Sequence, residues 1–142
     1  MSVPLNKRTQ GKLDVIIKAN ALCKYTLTIT ANEKKFDPKF QRSLTDKIND
    51  TAISIFIDCF TANNVYVNSA EDAKERDCLQ ERAARSCNDL LALIQIAKSV
   101  YHLETKRVQH WGEDTIGETT HLKETHGICY NGWMCITTIY GV

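Results

Sequence analysis

The sequence predicts an all-α fold: an up-down antiparallel four-helix bundle with a shortened or altered fourth helix and an irregular C-terminal tail. Three observations carry this. From Lys39 to Trp111 the chain has neither proline nor glycine, the two residues most unfavourable inside a helix. Apolar residues recur at three- and four-residue spacing through three successive stretches. Five of the six glycines fall late, at Gly112, Gly117, Gly127, Gly132 and Gly141, so regularity should decline there. The domain division that follows is a bundle over residues 1–120 and a tail over residues 121–142.

The first helix is predicted from about Thr9, a plausible N-cap, to Ala31, with Leu13, Ile16, Ile17, Asn20, Cys23 and Leu27 as its inward stripe. The second starts near Asp37–Pro38. Aspartate caps a helix well, and proline fits the first helical position because its missing N–H would lack a partner there anyway. Phe40, Leu44, Ile48, Ala52, Ile55, Phe56 and Cys59 form its apolar face, and Asn63–Asn64 close it. Val65 to Val67 read as an extended connection. The third helix opens at Ser69, with Asp72 three residues on and an acidic first turn that suits the positive end of the helix dipole. Leu79, Ala83, Cys87, Leu90, Leu91, Ile94 and Ala97 face inward, and the helix extends toward Tyr101. The fourth starts near Glu104–Thr105, is anchored by Val108 and Trp111, and is weakened by Gly112 and Gly117. Short loops between such helices make sequence neighbours antiparallel.

The 142 residues suit one domain, and 43% hydrophobic with 25% charged residues is ordinary for a globular chain. Met1 to Gln10 is polar, unlike a secretory signal, and no apolar run approaches the ~18 residues of a membrane span. The first four of the six cysteines sit singly in helical patterns as small hydrophobes, so reduced thiols and a cytoplasmic location are expected.

The net charge of +1 conceals an asymmetry. Residues 1–47 carry ten Lys/Arg and four Asp/Glu, a net +6; residues 48–142 carry eight and thirteen, a net −5. A basic first half suits an anionic partner or head-to-tail self-association, against the alternative of ordinary solvated helix faces. The candidate nucleic-acid contacts are Lys7, Arg8, Lys12, Lys18, Lys35, Lys39 and Arg42. Lys35, Lys39 and Arg42 fall at i, i+4 and i+7, on one side if the second helix reaches back that far. Tyr25, Phe36, Phe40 and Trp111 are candidates for stacking on bases, with core packing as the stronger reading. Asp46 is expected in a structural ion pair, with Arg42 one turn away or with Arg82 or Arg85 of the third helix.

Four stretches carry a family likeness: Arg42-Ser43-Leu44-Thr45-Asp46-Lys47-Ile48 with Thr51-Ala52; Thr61-Ala62-Asn63-Asn64; Gln80-Glu81-Arg82-Ala83 with Cys87-Asn88-Asp89-Leu90-Leu91-Ala92-Leu93-Ile94; and His102-Leu103, Lys106-Arg107 and Trp111. In this order and spacing, over roughly Lys7 to Glu118, the chain resembles the accessory variability determinants of diversity-generating retroelements. That group is related to bundle proteins encoded in ribosomal-RNA intervening sequences. The resemblance implies a non-enzymatic, homopentameric barrel that binds the element's reverse transcriptase and template-repeat RNA and supports mutagenic cDNA synthesis. An intervening-sequence-type RNA-binding bundle without a reverse transcriptase is the alternative.

The end of the chain departs from that family's pattern. After Gly117 it has one basic residue, Lys123, and Trp133 to Tyr140 reads as a strand. His121, His126, Cys129 and Cys135 offer zinc-type donors, but their spacing matches no common zinc frame, and no metal or other cofactor is expected. A free segment, strand pairing at a subunit interface and a metal loop stay open for this tail. No phosphate-binding loop or nucleophile-elbow motif is present, Cys87 has no arguable histidine partner, and no catalytic residue is assigned.

Overall fold

The structure, a computed structural model, describes the backbone of residues 5–126 and the side chains of residues 14–118. Its four long helices are α1 (Leu5–Thr30), α2 (Asp46–Asn63), α3 (Ala70–Tyr101) and α4 (Thr105–His126). Each packs on its neighbours in the ring α1–α2–α3–α4–α1, the closed circuit of an up-down four-helix bundle. No helix among the described residues is long and apolar enough to cross a membrane.

Local chemistry sets most boundaries where the sequence predicts them. Asp37 caps a short 3-10 turn, Pro38–Phe40, by accepting from the Lys39 backbone N–H at 2.9 Å. A single π turn, Gln41–Thr45, follows before α2 begins, so the regular helix starts later than Asp37–Pro38 suggests. Thr45 and the Tyr101 hydroxyl, 2.7 Å apart and buried, tie this turn to the end of α3. Ser69 caps α3 by accepting from the Asp72 N–H at 3.2 Å. Asn64 closes α2. His102 ends α3 in the left-handed region, φ 52° and ψ 48°, a position that glycine fills without strain.

Two expectations are corrected. Among the described side chains of α1 the buried residues are Val15, Ala19, Leu22, Cys23, Thr26 and Thr30, whereas Ile17 and Leu27 are exposed. The stripe is rotated because the threonines have polar partners inside. Thr26 Oγ1 accepts from the Trp111 indole N–H at 3.0 Å, and Thr30 Oγ1 lies 2.8 Å from Asn49 Oδ1. The fourth helix is not cut short. It continues through Gly112 and Gly117 to His126, and Val108, Trp111, Thr115 and Glu118 are all buried on one side of it. The β-strand reading of Trp133 to Tyr140 lies outside the described residues.

The core runs the length of the bundle. Ile48, Ala52, Ile55 and Cys59 of α2 meet Ala83, Cys87, Leu90, Leu91, Ile94 and Ala97 of α3. Phe36, Tyr101 and Trp111 plug one end: the Phe36 and Tyr101 rings lie 4.8 Å apart, and Phe36 meets Trp111 edge-on at 6.3 Å. Of the four described cysteines, Cys23, Cys59 and Cys87 are buried as predicted, while Cys78 is exposed; all four are free thiols.

Candidate nucleic-acid interface

An up-down bundle gathers alternate turns at the same end. Here the α1–α2 connection and the α3–α4 connection lie together, which brings separated basic residues to one place. Residues 31–47 and 98–107 supply Lys34, Lys35, Lys39, Arg42, Lys47, Lys98, Lys106 and Arg107 against Glu33, Asp37, Asp46 and Glu104: eight cations and four anions. Six of the eight are exposed; Lys98 and Arg107 are half-buried. Their charges are little neutralised. Lys35 approaches Glu104 at 3.8 Å with both side chains largely in solvent, where such a contact stabilises by under about 1 kcal/mol.

The backbone that carries these cations is held firmly. Phe36, fully buried, pins the loop after α1 onto Tyr101 and Trp111. Phe40 packs edge-on against Tyr101 at 6.0 Å, and Lys39 Nζ sits 5.7 Å from the Phe40 ring centroid. Trp111 and Phe36 are therefore core residues, and Tyr25 and Phe40 are half-buried against the core.

The predicted basic residues do not form one patch. Lys35, Lys39 and Arg42 share the basic end, but through a loop, a 3-10 turn and a π turn rather than one α-helical face. Lys18 lies at the middle of α1, away from the basic end; over the 17 residues from Lys18 to Lys35 most of the path is helix, on the order of 20 Å at 1.5 Å per residue. The side chains of Lys7, Arg8 and Lys12 lie outside the described residues, as do those of His121, His126, Cys129 and Cys135. Lys34, Lys47, Lys98, Lys106 and Arg107 were absent from the candidate contacts. The signal that finds them is the antiparallel topology itself.

The predicted ion pair is rearranged. Asp46 accepts from Gln41 Nε2 at 2.7 Å, and Arg85 meets Glu81 at 3.5 Å on its own helix. Arg82 makes a two-point contact with Asp58 of α2, Nη2 to Oδ1 at 2.6 Å and Nε to Oδ2 at 3.0 Å. Asp58 is the better partner because it is buried at the α2–α3 seam, where a planar two-donor fork satisfies both carboxylate oxygens. Asp46, by contrast, is exposed at the start of α2.

Toward the other end a different polar group is enclosed. Glu118 of α4 is fully buried, and its Oε1 lies 3.5 Å from the Cys59 thiol of α2, which donates to it. Its Oε2 has no hydrogen-bond partner among the described residues. Burial pushes the Glu118 carboxyl up to about 8, against the smaller opposing pulls of the Cys59 hydrogen bond and of Lys18. Burial, and secondarily Glu118, push the Cys59 thiol far above its ordinary range. Sequence reading had no access to this pair, whose members are separated by the whole of α3.

Between α2 and α3 an open groove of about 440 Å³ is lined by Lys47, Asp50, Thr51, Asp89, Ala92 and Leu93. Among the described residues no cluster of three or more His, Cys, Asp or Glu could hold a metal ion. Comparison with family models, with curated proteins and with solved structures finds no match to this chain.

Proposed function

We propose that this protein is a nucleic-acid-binding accessory bundle of the diversity-generating-retroelement type, acting in the cytoplasm without catalytic activity of its own. In this reading it holds template RNA and docks the element's reverse transcriptase as part of a homopentameric barrel. The observation that carries the nucleic-acid part is the basic end: eight cations from two distant segments meet on an aromatic-packed base, six of them exposed. Fixed cations that replace condensed counterions bind phosphates with an affinity that falls as salt rises. The partner and pentamer parts rest on the resemblance of the motifs at residues 42–52, 61–64, 80–94 and 102–111.

Charge reversal of Lys39, Arg42 and Lys106 tests it. Three lost phosphate contacts should lower the log–log salt slope of single-stranded RNA binding by about 2, at ~0.7 per contact, with thermal stability unchanged. An unchanged affinity and an unchanged slope would remove this surface from consideration. Light scattering tests the assembly: a mass near five chains supports the barrel, and a monomer or dimer contradicts it. Co-purification with a reverse transcriptase encoded beside this chain separates the retroelement reading from the intervening-sequence one.

A further inference from the structure

Two outward helix faces carry side chains that their own bundle does not use. On α1, Ile17, Ala21, Lys24 and Thr28 are all exposed and fall within one stripe of the helix surface, with Ile17 at 56%. On α2, Asp46, Asp50, Ser54 and Ile57 form a second exposed stripe, with Ile57 at 52% and Phe60 beside it at 51%. One exposed isoleucine is ordinary, but these two stripes match each other in length, shape and charge.

From Ile17 the α1 stripe climbs by four, three and four residues to Thr28; from Ile57 the α2 stripe descends by three, four and four to Asp46. Each is therefore about 16 Å long. Laid antiparallel, Ile17 meets Ile57, Ala21 meets Ser54, Lys24 meets Asp50 and Thr28 meets Asp46. The isoleucines bury each other, the two short side chains let the backbones approach, and a cation faces a carboxylate. Among the described residues neither Lys24 nor Asp50 has an ion-pair partner in its own chain. Within one chain both faces point outward, so only a second copy can bring them together.

The direction of packing suits a closed assembly. In an up-down bundle α1 and α2 run antiparallel. When a second copy lays its α2 antiparallel on the first copy's α1, the two bundles point the same way. The contact joins unlike faces, so the second copy's own α1 stays open for a third. Repetition of such a contact closes a ring where the rotation allows it.

We infer that the outer face of α1 in one copy binds the outer face of α2 in the next, with Ile17 on Ile57 and Lys24 on Asp50. This gives a surface to the self-assembly within the proposed function and rests on that part of it; the nucleic-acid part is independent.

Disulfide trapping tests the pairing in the full-length chain, with Cys78→Ser, Cys129→Ser and Cys135→Ser as background. After mild oxidation, Ile17→Cys and Ile57→Cys combined in one chain should give a ladder of covalent multimers, and either alone should give none. Dimers from a single variant would mean that like faces meet, and would overturn the proposal; so would a double variant without links. A charge swap gives an independent reading. Lys24→Asp or Asp50→Lys alone should raise the concentration of half-assembly about ten-fold, and the two combined should recover most of that loss. No effect of either, or no recovery, counts against the pairing. Light scattering of the native chain separates the two levels of failure. A multimer that lacks the 17–57 link removes this surface and keeps self-assembly, whereas a monomer at every accessible concentration removes both.

Discussion

The two ends of this bundle solve the problem of a polar group inside a core in opposite ways. At the basic end, Trp111 and Tyr101 bring an N–H and an O–H into the interior, and each is satisfied: the indole by Thr26, the phenol by Thr45. At the other end, Glu118 brings in a carboxyl that shares one oxygen with a weak thiol donor and leaves the second without a partner among the described residues. The first arrangement pairs both buried donors, beneath the surface that carries the basic residues. The second makes α4 sensitive to the ionisation of one residue. The comparison teaches that the same four-helix frame can enclose fully paired donors at one end and a titratable carboxyl at the other.

The strongest way to break the basic end is Trp111→Ala. It removes a fully buried indole and strands Thr26, and should cost about 4 kcal/mol in chemical denaturation. A loss under about 1 kcal/mol would mean that the aromatic plug does not organise that end.

Glu118 sharpens the contrast through pH. Its folded-state pKa is raised, so as pH climbs from the ordinary carboxylate range the unfolded chain releases this proton first while the folded chain keeps it. Stability from this group is therefore highest in acid, falls as pH rises toward about 8, and levels off above it. The slope approaches roughly 1 kcal/mol per pH unit within that window. Glu118→Gln should flatten that part of a urea-stability profile and be more stable than the native chain at pH 8. A profile that the substitution leaves unchanged would place the carboxyl in water.

Smaller effects test the backbone at each end. Gly117 lies inside α4 with open space where a Cβ would go, so Gly117→Ala should stabilise by about 1 kcal/mol through helix propensity. His102→Gly relieves a left-handed non-glycine backbone, worth about 1 kcal/mol, but adds freedom to the unfolded chain, for a net gain of about 0.5 kcal/mol by thermal melting.

Most of the frame was legible because local chemistry fixed it. Asp37–Pro38, Ser69 with Asp72, and Asn64 each act on backbone groups within a few residues, and the α2 and α3 stripes are dense enough to set their own phase. The phase of α1 was misread because Thr26 and Thr30 become interior residues only when Trp111 and Asn49 arrive from other helices. The fourth helix was expected to weaken at its glycines; side chains on one face hold it together instead. The candidate site was legible in part. Lys35, Lys39 and Arg42 were in view, but their companions Lys106 and Arg107 join them only through the antiparallel fold. The Asp58–Arg82 contact and the Glu118–Cys59 pair depend on helix rotation, which composition does not encode.

The central claim is that nucleic acid binds at the basic end and not along α1 between Lys7 and Lys18. The most direct measurement is the affinity for single-stranded RNA, across a salt series, of two matched charge reversals in the full-length protein. One carries Lys39→Glu, Arg42→Glu and Lys106→Glu; the other carries Lys7→Glu, Lys12→Glu and Lys18→Glu. The account predicts a large loss of affinity and a shallower salt slope for the first, with near-native binding for the second. Equal losses in both, or a loss confined to the second, would contradict it.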